Sequence, residues 1–115
     1  MAVLAVHELG SPAGPPVLAI HGVTGHGLRY RRLAAEGLPG HRIVAVDLRG
    51  HGGSTGDGPY SAERHVADLV ETLDALGLDR VPVIGHSFGG FLGLRLLAAA
   101  PDRVERLAMI DPAML

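Results

Sequence analysis

Two short segments of this sequence hold residues whose types and spacing can do chemistry. In Gly85-His86-Ser87-Phe88-Gly89 a serine has a glycine two positions away on each side. A serine held in a tight, strained turn needs neighbours with no Cβ to clash, and Gly85 and Gly89 supply them. At the start of a helix, the macrodipole and the free N–H of Phe88 would favour negative charge developing beside the Ser87 hydroxyl. The second segment is His21-Gly22-Val23-Thr24-Gly25, where the N–H of Val23 is the candidate for a second donor to the same oxyanion. Attack by Ser87 on a carbonyl carbon, with two backbone donors holding the charge on oxygen, is the chemistry these residues point to.

Such groups work only when rigid elements place them. Short, continuously apolar runs at 3–6, 17–20, 43–46, 81–84 and 106–110 alternate with stretches of helical spacing. That layout predicts an α/β, three-layer sandwich, a mostly parallel sheet covered by helices on both faces. Residues 61–76 form the best helix: Ser61 caps it, Glu63 sits in the positive first turn, and Val66, Leu69, Val70, Leu73 and Leu76 make one apolar stripe before Gly77 ends it. A second helix over 88–100 is apolar on nearly every side, carries only Arg95 as a charge and stops at Pro101. Its Gly89, Gly90 and Gly93 each cost a helix about 1 kcal/mol relative to Ala, which points to close packing. A third helix is expected over 28–36. The run 81–84 leads straight into the 85–89 turn and then the buried helix, the strand, turn and helix that a G-x-S-x-G nucleophile elbow requires.

Composition narrows the function classes. The chain has 115 residues, 47% hydrophobic and 19% charged, enough apolar surface for one ordered domain with one core. A net charge of −2, with all ten cations arginines scattered along the chain, leaves no basic footprint for nucleic acid. Having no cysteine, the chain has no disulfide, no Cys-based zinc site and no thiol nucleophile. No metal or cofactor is expected. The longest uncharged stretch, 81–94, contains Pro82, His86, Ser87 and three glycines, and falls short of the roughly 20 apolar residues that span a bilayer. The first ten residues carry no Lys or Arg ahead of their apolar run, so a cytoplasmic chain without a membrane partner is expected.

A third segment, Asp47-Leu48-Arg49-Gly50-His51-Gly52-Gly53-Ser54, follows the run at 43–46. With the 21–25 turn, the 85–89 elbow and Pro101-Asp102-Arg103-Val104, it makes the sequence resemble the N-terminal half of the α/β-hydrolase family over nearly its whole length. The resemblance implies a strand order of 2-4-3-5-6, with the five runs as the family's strands two to six. It also implies acyl transfer from a small-molecule acyl substrate (an ester, thioester or lactone) through a serine ester intermediate. Ser87 would be the nucleophile, the N–H groups of Val23 and Phe88 the oxyanion hole, and His21, Gly22, Gly85, His86 and Gly89 the support of turn and elbow. A serine at the elbow, where the dehalogenase and epoxide-hydrolase branches carry aspartate, argues against both.

The family places its acid and then its histidine after the nucleophile, whereas all seven histidines here precede Ser87. Residues 1–115 therefore read as an N-terminal part that ends before the cap, acid and histidine, and that is inactive alone. His26 and His51 lie on loops at the same sheet edge, and solvated loop residues are the favoured reading of both. Asp111 ends the sixth strand, where some family members place the acid, but a loop or helix-capping residue before Pro112 is favoured. Asp47 and Arg49 read as internal braces of their loop. Two rivals remain: a non-catalytic binding or assembly module on the same fold, and a dinucleotide-binding unit built on Gly22 to Gly27 with Asp47 as its acid, whose glycine spacing is wrong. The last strand is expected to be an exposed edge, open to self-association or to a completing chain.

Overall fold

A computed structural model describes residues 4–113. Five strands, β1 (Val6–Gly10), β2 (Pro16–Ile20), β3 (Arg42–Val46), β4 (Val81–His86) and β5 (Val104–Ile110), form one sheet in the order β1-β3-β2-β4-β5. β2 pairs in parallel with β3 and β4, and β4 in parallel with β5, while β1 is antiparallel to β3. With β1 to β5 as the family's strands two to six, this is the expected 2-4-3-5-6 order.

Alternation along the strands sorts the core into two layers. Leu18, Ile20, Val44, Val46, Val81 and Val83 face helices α1 (Ala62–Ala75) and α2 (Phe88–Ala99), which bring Leu69, Leu73, Leu92 and Leu96. Val17, Ala19, Ile43 and Ala45 face the other way, onto Tyr30 and Ala34. Each fully buried aliphatic side chain contributes about 1.5–3 kcal/mol, so both layers hold the sheet. Ser61 caps α1 by accepting the Arg64 N–H at 3.1 Å, and Gly77, at φ +69°, ends it.

Two expected elements differ. The 28–36 helix is instead a 3-10 turn at Gly27–Tyr30 running into a π-helical Leu33–Gly37. Its start is pinned, with the Gly27 N–H on Asp47 Oδ1 at 2.7 Å and the Tyr30 hydroxyl on the Ile20 carbonyl at 2.7 Å. Winding between such fixed points must adapt to the sheet beneath. The first strand begins at Val6, later than the apolar run 3–6, of which Val3 lies outside the described residues. Leu4 and Ala5 give their N–H groups to Thr72 Oγ1 and Ser54 Oγ, so the ladder starts only after them.

Parallel pairing sends β2, β3 and β4 toward one sheet edge, where ligands bind in such folds. The segments after Ile20, Val46 and His86 meet there. β5 is the sheet's last strand; beyond Val104 its side chains are largely open, with Met109 and Ile110 41% and 47% exposed. Among the described residues no helix is long and apolar enough to cross a membrane.

Candidate active site

Ser87 sits between β4 and α2 at φ 56°, ψ −119°, a backbone conformation that L-residues adopt only when their surroundings enforce it. Its N–H donates to the Ile110 carbonyl at 3.0 Å, and its carbonyl accepts from Gly90, Phe91 and Ala113. The elbow is thus tied to the end of β5 and to the first turn of α2. A β-carbon on Gly85 would overlap the Gly89 carbonyl, and one on Gly89 would overlap the carbonyl oxygen of Ile20. Both glycines let two backbones touch, which is how α2 seats its N-terminus on β2.

The 21–25 turn lies directly against the serine. A β-carbon on Gly22 would stand 3.2 Å from Ser87 Cβ and 3.7 Å from its Oγ. His21 is 1% exposed; its Nε2 accepts the Leu48 N–H at 3.0 Å, so Nδ1 carries the proton and donates to the Gly22 carbonyl at 2.6 Å. Burial pushes its pKa below the usual imidazole value. His21 is therefore a neutral spacer between two loops. Among the described residues neither the Val23 nor the Phe88 N–H donates to a protein group. Ser87 and Val23 line a cleft of about 460 Å³ together with Tyr30, Leu33, His86 and Ile110.

The Asp47 to Ser54 loop is braced from within. Asp47, 1% exposed, accepts Gly27 N–H on Oδ1 at 2.7 Å and Gly53 N–H on Oδ2 at 2.9 Å, and pairs with His7 Nε2 at 2.9 Å. Burial opposes its charge, but the two N–H donors and His7 outweigh that and hold its carboxyl below the ordinary range. Arg49 makes two bonds to Asp68, at 2.8 and 2.7 Å, and a third to the Asp57 carbonyl. Both residues are braces, and a carboxylate so fully engaged is not free for a ribose.

The family model for the alpha/beta hydrolase fold matches residues 15–115. The chain belongs to the α/β-hydrolase family. It is similar to lipase LipV of Mycobacterium tuberculosis, 47% identical over 90% of this chain and 40% of the lipase. Esterase YbfF of Escherichia coli is 39% identical over 85% of this chain and 39% of the esterase. Among solved structures, a marine microorganism esterase superposes with a TM-score of 0.88 at 31% identity, covering 95% of this chain and 41% of that one. The chain thus spans about two fifths of the length of these relatives.

In this member of the family none of the seven histidines hydrogen-bonds Ser87 among the described residues. His51 has both ring nitrogens engaged, by Thr24 and Arg49, and His86 is exposed at the cleft. Asp111 is exposed at φ 48° just past β5, in the segment that bonds the Ser87 backbone, and no histidine bonds it among the described residues. Among the described residues no group of three His, Asp or Glu side chains is arranged to hold a metal ion. Sequence reasoning missed Asp68, the buried partner of Arg49, and Tyr30. A signal for Asp68 existed: His65, Asp68 and Thr72 recur at helical spacing on the buried face of α1 and are all within 2% exposure. Polar residues on a core face need internal partners. Tyr30 left no such trace.

Proposed function

We propose that this chain carries the nucleophile and oxyanion hole of a serine hydrolase that cleaves esters or related acyl compounds through an acyl-enzyme on Ser87. The observation that carries the reading is the strained elbow at φ 56°, ψ −119° with the 21–25 turn packed against it at the cleft. A carbonyl placed beside Ser87 would have the unengaged N–H groups of Val23 and Phe88 within the same corner, and α2 would add the positive end of its dipole. Attack forms the Ser87 Oγ–acyl bond, expels the alcohol or thiol, and hydrolysis by water releases the acid. The lipase and esterase relatives support an ester substrate class.

Ser87 must lose its proton to a base, and among the described residues no histidine hydrogen-bonds its hydroxyl. We therefore propose that the chain alone acylates poorly. Removing a triad member leaves turnover lower by about 10⁴ to 10⁶ in serine hydrolases. The test fuses residues 1–115 to the C-terminal part of the Mycobacterium tuberculosis lipase and follows fluorophosphonate labelling. The fusion should label at one site and hydrolyse activated esters, its Ser87→Ala variant should do neither, and the chain alone should label slowly. A folded fusion inert toward both reagents, or one labelled equally well after Ser87→Ala, overturns the reading. Rapid stoichiometric labelling of the chain alone overturns the claim that it lacks a base.

A further inference from the structure

We propose that His51 is a positioning residue of this site, holding the turn that presents the Val23 N–H. The inference rests on the acyl-transfer reading for its purpose, and on geometry alone for its existence. Thr24 has φ 65°, a left-handed conformation that a β-branched residue adopts only under restraint. The turn closes on itself through the Gly25 N–H and Gly22 carbonyl at 3.0 Å, which leaves the Thr24 N–H without a local partner. That N–H donates to His51 Nε2 at 3.3 Å. Because Nε2 accepts, Nδ1 carries the ring proton and donates to the Arg49 carbonyl at 3.0 Å.

The residue behind His51 is itself anchored. Arg49 is fixed by its two bonds to Asp68, which is 1% exposed on α1. A chain of contacts therefore runs from α1 through Asp68, Arg49 and His51 to the Val23–Thr24 peptide, next to the peptide that carries the Val23 N–H. His51 has no nitrogen left for Ser87, so it acts through the turn and is no general base.

The His51 ring stands beside that of His21, at 5.0 Å between centroids.

The experiment uses the 15N-labelled chain. Long-range 1H–15N spectra report the His51 tautomer, and amide exchange is measured at Thr24 in wild type, His51→Ala and His51→Gln. The expected results are an Nδ1–H tautomer near neutral pH and exchange at the Thr24 amide about tenfold faster in His51→Ala, the loss of one hydrogen bond. His51→Gln, whose amide oxygen can accept the Thr24 N–H, should restore protection. An Nε2–H tautomer, unchanged exchange in His51→Ala, or a glutamine variant as open as alanine overturns the proposal. If His51→Ala fails to fold, the wild-type tautomer and Thr24 exchange in the glutamine variant decide. Ser87→Ala should leave the signature intact, so failure of the acyl chemistry and failure of this link are separate results.

Discussion

Replacing Asp47 tests whether one buried carboxylate ties three segments together. Its oxygens receive Gly27 N–H at 2.7 Å, Gly53 N–H at 2.9 Å and His7 Nε2 at 2.9 Å, while the side chain is 2% exposed. A hydrogen bond to a charged group contributes about 1.5–3 kcal/mol net, and a buried donor left without a partner costs about 1–3 kcal/mol. Gly27 is buried and takes that full penalty in Asp47→Ala, whereas Gly53 is exposed and the His7 side chain 30% exposed, so both can turn to water. The three bonds share one group and do not add, which gives a loss of about 3–5 kcal/mol for Asp47→Ala. A domain of this length holds about 6–17 kcal/mol in all, so urea unfolding, with a slope of about 1–3 kcal/mol/M, should shift its midpoint down by roughly 2 M. Asp47→Asn keeps one acceptor but sets an NH2 against another donor whichever way it is flipped, and should cost about half as much. The carboxyl is held below its ordinary range, so its stabilisation is complete above the unfolded pKa of about 3.9 and disappears as pH falls through the folded value. Asp47→Asn should flatten that acid limb. A loss under about 1 kcal/mol for alanine, or an unaltered acid limb in Asn, would refute the clamp.

Four further outcomes follow from the same geometry. Ser87→Gly should abolish labelling of the fusion yet raise the chain's unfolding free energy by about 1 kcal/mol, because strain of about 1–3 kcal/mol is relieved against the entropy of glycine. Gly89→Ala, whose methyl would overlap the Ile20 carbonyl, should cost about 3 kcal/mol or more by calorimetry, while Gly77→Ala at φ +69° with open space around it should cost only about 1 kcal/mol. Burial lowers the pKa of both His21 and His65, so the unfolded chain binds protons that the native one refuses; stability should be full above about pH 6.5 and fall below it, and His65→Gln should reduce the slope. Sedimentation should show self-association of the chain through the open β5 edge, and a monomer at high concentration with slow amide exchange over residues 104–110 would count against it.

The parts of the site that were legible in the sequence are those where the backbone alone sets the constraint. Gly85 and Gly89 announce a close approach because no other residue fits there, and the structure puts the Gly89 carbonyl and the β2 backbone in the space a side chain would fill. Ser61, Glu63 and the apolar stripe fixed α1 to within a residue at each end, since capping and periodicity are local. The strand order followed from the family resemblance, in which three motifs after successive strands leave one topology. What stayed hidden was the pairing of polar groups far apart in the chain. Asp47 and Gly27 are separated by 20 positions, Asp47 and His7 by 40, and Arg49 and Asp68 by 19; nothing in local pattern couples them. The winding of 27–37 belongs with these, because its start answers to Asp47 and Ile20 rather than to its own propensity. The glycines of the motifs mark where two backbones must touch, and the charged and imidazole side chains mark which loops must be tied. Only the first can be read without coordinates, so the strained turn at Ser87 was evident in the sequence, and the bonds that tie α1 to the 47–54 loop were not.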